Sequence, residues 1–383
     1  MQPLIVPEGC SPTFSMKALN LNAFRSHRQV NLSLTPGAKG MILIGPNGVG
    51  KTNVLEALSF FSPGRGMRRA RLKDVQCDQE THIPWSVSME LETSSGPFQV
   101  GTGRVSMDGE KRQIVLNGVA LKTQMELAYH LHVAWLIPQM DRLFWDGNRE
   151  RRRFLDRLIL GIDPLHGTRL MRYEQTLKER LQVLQTHPGA RDWLNALESI
   201  LVEEGSAITA ARLYMVNRLN QQVNASTLTC FPKPVLALVG ENEALFESGK
   251  SALQVEQIWS DTLRQNRSID REKGTTLYGC HKSNLQVFHQ TRDHHLRESA
   301  FCSTGEQKAL LISLVLAAAN LQARVERPFF LLLDEVVAHL DEGRRYELFE
   351  ELKALNAHIW MTGTDITLFK GVDQNMDIQK LPL

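Results

Sequence analysis

From Thr13 to Leu34 the chain reads FSMKALNLNAFRSHRQVNLSL after the threonine, with apolar and polar residues alternating almost strictly. A period of two marks half-buried strands, so the segment predicts an antiparallel pair turning near Phe24 to His27. A short apolar strand at Met41–Ile44 then runs into GPNGVGKT, and NVLEALSFF beyond it carries apolar residues at helical spacing. Strand, glycine-rich loop and helix follow one another there. The segments WSVSMELET and RQIVLNG again read as strands, with Asn117 and Gly118 suited to a hairpin turn. The first 140 or so residues are therefore mixed α/β.

The pattern changes in the middle of the chain. Leu165–Thr186 and Arg191–Val223 read as two long helices, separated by His187, Pro188 and Gly189. Leu170, Tyr173, Leu177, Leu181 and Leu184 form one stripe, a face expected to pack on a partner helix. After Pro232 and Pro234 come a short strand, VLALVG, and a further helix over Ser251–Asn266. An α/β pattern returns near Thr276, and from Phe301 the order is loop, apolar helix, strand FFLLL, helix, strand HIWMTGT. The expected architecture is one α/β head split by an inserted helical arm: 13–160, arm 161–275, 276–383.

Composition narrows little. Apolar residues make up 42% and charged residues 22%, ordinary values for a globular chain. Neither an apolar run of roughly 18 residues nor a basic leader with a cleavage site is visible, so a cytoplasmic protein without a membrane span is expected. Cys10, Cys77, Cys230, Cys280 and Cys302 lie far apart with no CxxC pair, against a zinc module or a disulfide framework. A net charge of +2 is too small to signal nucleic-acid binding, so DNA contact would have to come from local clusters.

The chemistry is carried by motifs. Gly45, Pro46, Asn47, Gly48, Val49, Gly50, Lys51 and Thr52 match GxxxxGK[ST] in full, with Asn53 following on the helix. Such a loop turns backbone N–H groups inward around phosphates, the lysine reaches the β/γ-phosphates of ATP, and the threonine ligates Mg²⁺. Phe329–Leu333 followed by Asp334 and Glu335 reads as a buried strand ending in two carboxylates. Asp334 would hold Mg²⁺ and Glu335 would orient or deprotonate the attacking water. Read by itself, LLLDE is also a strand running into an acidic helix start.

Ser303, Thr304, Gly305, Glu306 and Gln307 are similar to the LSGGQ signature of ABC ATPases, and Ser303 with Glu306 equally spells a helix capping box. The two readings are compatible, because a capped helix start with free N–H groups is what a γ-phosphate from a second molecule needs. The order of the motifs decides: signature, then Asp334, then His339–Asp341 where the ABC D-loop belongs. An ABC-type P-loop ATPase head is expected, and the long gap between Thr52 and Ser303 points to the repair and chromosome-maintenance branch.

At this level of detail the chain resembles the RecF family. LNAFRSHRQV at Leu21–Val30, GPNGVGKTNVLEAL, NRERRRFLDRLI at Asn148–Ile159, STGEQKALLISL and LLLDEVVAHLD carry the resemblance. LIPQMDRLF occupies the position of the family's Q-loop, so the resemblance implies Gln139 as the candidate for sensing Mg²⁺ and the attacking water, while Thr362, Gly363, Thr364 and Asp365 take the switch position. The resemblance implies an ATP-dependent homodimer in which the P-loop of one copy and Ser303 and Gly305 of another close on the same nucleotide. It further implies slow, DNA-stimulated ATP hydrolysis, a RecR-like mediator as partner, and RecA loading at single-stranded gaps during repair, replication restart and the SOS response. The chain departs from the family at Gly279–Asn284, GCHKSN where GPHRDD is common, and in pairing Asp334 with Glu335 rather than two aspartates.

Two basic clusters are candidates for sequence-independent contact with single- and double-stranded DNA, including gaps and junctions: Arg65, Arg68, Arg69, Arg71 with Lys73, and Arg149, Arg151, Arg152, Arg153. A charge run is more often a solvated face, and some of these arginines can instead meet nucleotide or carboxylates within the head. A nuclease-coupled ATPase would need an acidic metal cluster in an added domain. A chromosome-organising protein would need longer coiled-coil arms, and the insertion disfavours a transporter ATPase.

Overall fold

The computed structural model describes residues 14–107, 109, 111–290 and 295–381; Cys10 and the N-terminal stretch read for a leader lie outside them. Its elements are β1 (Phe14–Phe24), β2 (His27–Ser33), β3 (Gly40–Ile44), α1 (Lys51–Ser59), β4 (Ser86–Thr93), β5 (Gly96–Arg104), β6 (Arg112–Leu116), β7 (Val119–Ala120), α2 (Gln124–Leu127) and β8 (His132–Leu136). There follow α3 (Asn148–Leu160), α4 (Leu165–Thr186), α5 (Arg191–Ala225), β9 (Pro234–Val239), α6 (Glu241–Glu247), α7 (Ala252–Gln265), α8 (Arg267–Lys273), β10 (Asn284–Gln290) and β11 (Leu296–Glu298). The chain closes with α9 (Thr304–Gln322), β12 (Phe329–Leu333), α10 (Glu342–Ala354), β13 (His358–Gly363) and β14 (Met376–Lys380).

Two compact units divide these elements. The first comprises the described residues up to Asp141, a short strap at Thr227–Phe231, and those from Val315 onward; the second comprises Arg142–Ser226 and Pro232–Leu314. The arm is expected at 161–275, and the second unit also takes in α3, β10, β11 and the start of α9.

The first unit contains an antiparallel sheet in the order β2-β1-β4-β5-β6-β7 and a parallel sheet in the order β14-β3-β13-β12-β8. Phe14, Met16, Leu19, Leu21 and Ala23 of β1 turn inward, with a bulge between Met16 and Ala18 that resets the alternation. Every residue of β3, β8, β12 and β13 is buried, as strands covered on both faces must be. Side chains of both sheets and of α1 form one core that includes Leu19, Met89, Val54, Leu58, Phe330 and Trp360. Gly40 lets β3 run close to β13, since a Cβ there would lie 1.7 Å from the Ile359 carbonyl oxygen. Asn117 and Gly118, both with positive φ, turn β6 into β7 as the hairpin signal predicts. The strap is held by Glu347 of α10, whose carboxylate accepts from the backbone N–H groups of Thr229 and Cys230, each at 2.9 Å.

In the second unit α4 and α5 pack as the expected pair, and α5 at about 1.5 Å per residue is roughly 50 Å long. Two small apolar clusters hold them, one around Tyr173, Leu201, Ile208, Trp259 and Leu263, the other around Val183, Leu184, Leu194 and Leu197. The predicted stripe on α4 is rotated: Tyr173 and Leu184 are buried, whereas Leu170, Leu177 and Leu181 are only half-buried. His166, Thr176 and Arg180 occupy the rest of the buried face. Arg180 is satisfied there by Glu198, Asp270, Thr276 and the Leu263 carbonyl, so a charged side chain fills a place that periodicity assigns to leucine.

Candidate functional site

In the parallel sheet, the loops at the carboxyl edge collect the sequence-predicted chemistry of the first unit. Gly45 N–H donates to the Gly363 carbonyl at 3.3 Å, which fixes the P-loop beside the end of β13. Gly48 and Gly50 have φ of 85° and 95°, so the loop curls through the left-handed region before α1 begins at Lys51. At Gly50 a Cβ would also collide with His27, 2.5 Å from its Nε2, and that ring nitrogen lies 3.1 Å from the Gly50 carbonyl oxygen. Pro46, Asn47 and Gly48 are exposed at the crest and Val49 is half-buried.

Lys51 is 4% exposed, and its ammonium group donates to the carbonyls of Gly45 at 2.6 Å and Pro46 at 2.8 Å. Burial lowers its pKa, and the negative charges of Glu335 and Asp334 oppose that shift. Thr52 Oγ1 donates to Asp334 Oδ1 at 2.9 Å, and Thr362 Oγ1 donates to the same oxygen at 2.8 Å. Asp334 is buried, which raises its pKa, and the two hydroxyl bonds work against that rise.

Glu335 departs from the strand with φ of 51°, a conformation that costs a non-glycine residue about 1–3 kcal/mol and persists only where the surroundings hold it. Its N–H donates to Thr362 Oγ1 at 2.9 Å. Gln139 is exposed just beyond β8, the neighbour of β12, with Leu136 in register with Leu333. Thr364 and Asp365 are exposed, and Asp365 spends Oδ1 on the Thr367 N–H at 2.8 Å. Of the switch segment, therefore, Thr362 is the residue that meets the acidic pair.

Around α1 the FRSH turn is stitched to the P-loop helix. Arg25 grips the fully buried Glu56 with two bonds of 2.9 and 2.6 Å; Arg68 adds bonds to Glu56 at 3.2 Å and Asn53 Oδ1 at 3.0 Å; Asn53 Nδ2 donates to Ser26 Oγ at 2.8 Å. Glu56 was missed as a partner of these arginines, although a lone acid inside the apolar run NVLEALSFF was the available signal. Arg65, Arg69 and Arg71 are exposed.

Ser303 and Gly305 belong to the second unit and are exposed at the start of α9. The capping box is realised: Ser303 N–H donates to Glu306 at 2.8 Å and Glu306 N–H donates to Ser303 Oγ at 3.3 Å. Gln307 secures the preceding loop by donating to the carbonyls of Ser299 and Cys302, and it accepts from Trp145 Nε1 at 2.8 Å. In the same unit Arg151 bonds Asn284 Oδ1, Asn148 Oδ1 and the Asp146 carbonyl, while Arg152 donates to the Ser283 carbonyl at 2.5 Å. Much of the donor capacity of Arg151 is thus spent within the protein, and Arg152 is tied to the Ser283 carbonyl.

Comparison with known proteins places this geometry. The RecF/RecN/SMC N terminal domain matches over residues 15–381. A protein of Rhizobium rhizogenes named DNA replication and repair protein RecF is 39% identical over 361 residues, covering 93% of this chain and 94% of that one. The chain belongs to the RecF family. The RecF of Allorhizobium ampelinum is 40% identical over 358 residues, covering 92% of each chain. Among solved structures, the recombination mediator protein RecF-ATPrS of the RecFOR pathway superposes with a TM-score of 0.79 at 20% identity, covering 97% of this chain and 96% of that one. A Pyrococcus furiosus Smc head domain superposes at 0.54 with 16% identity, over 96% and 93% of the two chains. The head is thus of the ABC type shared by RecF and SMC proteins, and no described helix is long and apolar enough to cross a membrane.

Among the described residues no group of three or more histidine, cysteine, aspartate or glutamate side chains could cage a metal. What is present is a pair of hard oxygens, Thr52 Oγ1 and Asp334 Oδ1, 2.9 Å apart at the end of the P-loop. That donor set fits Mg²⁺, which takes one or two protein oxygens and completes its shell with substrate phosphate and water.

Proposed function

We propose that the protein is an ATP-dependent DNA-binding ATPase of recombinational repair, hydrolysing ATP to ADP and phosphate. The observation that carries the reading is the 2.9 Å bond from Thr52, the residue after Lys51, to Asp334, whose neighbour Glu335 is tied through its N–H to the same Thr362 hydroxyl that bonds Asp334. Gly45–Thr52 would cradle the phosphates, with Asn53 behind them, and Lys51 would exchange its carbonyl partners for β- and γ-phosphate oxygens. Thr52, Asp334 and Gln139 would hold Mg²⁺, which neutralises charge on those oxygens. Glu335 would orient the attacking water and accept its proton.

Ser303 and Gly305, at an exposed capped helix start, would receive the γ-phosphate held by a second copy. ATP binding then favours a head-to-head homodimer on DNA and hydrolysis releases it, so the nucleotide times DNA binding. Membership of the RecF family supports the DNA side: gaps and junctions bound without sequence preference, a RecR-like mediator, RecA loading, and a cytoplasmic setting.

The test compares ATPase rates with and without gapped DNA for wild type, Lys51→Ala and Ser303→Arg. Lys51→Ala is expected to lose nucleotide binding. Ser303→Arg is expected to bind ATP as wild type does yet hydrolyse it at least tenfold more slowly, on the order of one hydrogen-bonded phosphate contact. Hydrolysis by Ser303→Arg at the wild-type rate would refute the composite site.

A further inference from the structure

The hydroxyl of Thr362 sits where three elements of the sheet meet. Thr362 is on β13, between the P-loop strand β3 and the carboxylate strand β12, and it is fully buried. Its register partner on β3 is Leu43, and the residue before it, Met361, is opposite Leu333, the last residue before Asp334. A threonine hydroxyl has one proton to give and lone pairs to receive with. Here the proton goes to Asp334 Oδ1 at 2.8 Å and a lone pair takes the Glu335 N–H at 2.9 Å. One oxygen atom therefore fixes the carboxylate of the first acid and the backbone of the second.

Both bonds act where the chain needs them. Glu335 has a positive φ, an unfavoured backbone for a residue with a side chain, and its N–H finds its partner in the Thr362 hydroxyl. Asp334 is buried, and Thr52 Oγ1 meets the same oxygen that Thr362 does. With both hydroxyls on Oδ1, rotation of the carboxylate is restricted from two sides.

We infer that Thr362 is a positioning residue for the hydrolytic pair: its hydroxyl locks Glu335 into the left-handed turn and sets the plane of the Asp334 carboxylate, so that both acids are oriented before ATP arrives. The role rests on the reading of Asp334 and Glu335 proposed above. It differs from that of the exposed Thr364 and Asp365, which stand in the loop beyond β13, and it works through the acids without touching substrate.

The test pairs Thr362→Val, which keeps the branched shape and removes the hydroxyl, with Thr362→Ser, which keeps the hydroxyl and removes the methyl group. Thr362→Val is expected to lower kcat on the order of 10²-fold, the effect of misplacing a reacting group by about 1 Å. Its KM for ATP should stay within about threefold, and the Mg²⁺ concentration that half-saturates binding of a fluorescent ATP analogue should rise. Thr362→Ser should recover kcat to within about threefold of wild type. Amide hydrogen exchange supplies a readout independent of turnover: the Glu335 N–H should be protected in wild type and Thr362→Ser and should exchange faster in Thr362→Val.

Wild-type kcat in Thr362→Val overturns the inference, as does a serine variant as impaired as the valine one, since either result makes the hydroxyl irrelevant. Should Thr362→Val prove unfolded, Thr362→Ala takes its place beside Thr362→Ser: slow turnover with fast Glu335 N–H exchange in the alanine variant alone supports the inference, and wild-type values in it overturn the inference. Glu335→Gln run alongside separates the two readings. If it hydrolyses ATP at the wild-type rate, the assignment of Glu335 fails, whereas slow hydrolysis by Glu335→Gln with full activity in Thr362→Val sinks only the role of Thr362.

Discussion

Replacing Asp156 by asparagine removes the counterion of a buried arginine. Asp156 on α3 is gripped by Arg212 of α5 through two bonds of 2.8 Å, and His166 of α4 lies 2.9 Å from Oδ1. Arg212 is 3% exposed and passes a third bond, 2.6 Å, to the Cys280 carbonyl, so the pair also anchors the loop that departs from the family pattern. Burial alone would raise the pKa of Asp156; the Arg212 guanidinium and the His166 bond overcome it and bring the value down to about 2.

A depressed carboxyl pKa contributes stability that is present above the ordinary value of 3.8 and lost as pH falls through about 2. A shift of that size corresponds to about 2–3 kcal/mol at neutral pH. The substitution costs more, because asparagine presents an N–H toward a donor and leaves the guanidinium uncompensated: about 3–5 kcal/mol is expected. For a body of 150–250 residues that is a fall in Tm of about 6–20 °C. Thermal unfolding followed by circular dichroism at pH 7 measures it, and the gap between variant and wild type should close as the pH approaches 2. Replacing both partners, Asp156→Leu with Arg212→Met, should destabilise less than either single change. A single Asp156→Asn variant within 1 kcal/mol of wild type would show that the pair contributes nothing that water does not.

Three further outcomes are expected. Gly50→Ala should abolish nucleotide binding measured by titration calorimetry, because the new Cβ needs a φ of 95° and meets His27; retained affinity would mean that the loop tolerates another curvature. Glu347→Ala should free the strap at Thr227–Phe231, seen as new cleavage there in limited proteolysis, and unchanged cleavage would make the carboxylate clamp incidental. In DNA binding read by fluorescence anisotropy, Arg71→Ala should weaken all sequences alike and reduce the salt slope by about 0.9, while Arg151→Ala should leave that slope unchanged; the reverse ranking would move the DNA path to α3.

What was legible in the chain was what neighbouring residues decide together. The P-loop, the helix pair of the arm and the Asn117–Gly118 turn are written in contiguous spacing, and the observed α4 begins and ends at the predicted Leu165 and Thr186. Long-range pairing was not legible. Thr362 reads as one of four switch-position residues, and its bonds to Asp334 and Glu335 emerge only once β13 is laid between β3 and β12. Arg152 reads as one charge in a basic run, and only the fold shows it donating to Ser283, 131 positions away. Arg180 misled the helical stripe for the same reason, since the acids that allow a guanidinium in a core come from α5 and α8.

The strand that ends in the P-loop has as its sheet neighbours β13 and β14, the last two strands among the described residues. On the ribosome, residues 40–44 therefore emerge long before either flank exists, and at 5–20 residues per second the wait is roughly 15–70 s. For that time the apolar strand has both edges unpaired, the condition in which exposed strand edges invite pairing with other chains. Chains stopped before residue 358, which lack both β13 and β14, should accumulate in inclusion bodies instead of as nucleotide-binding fragments.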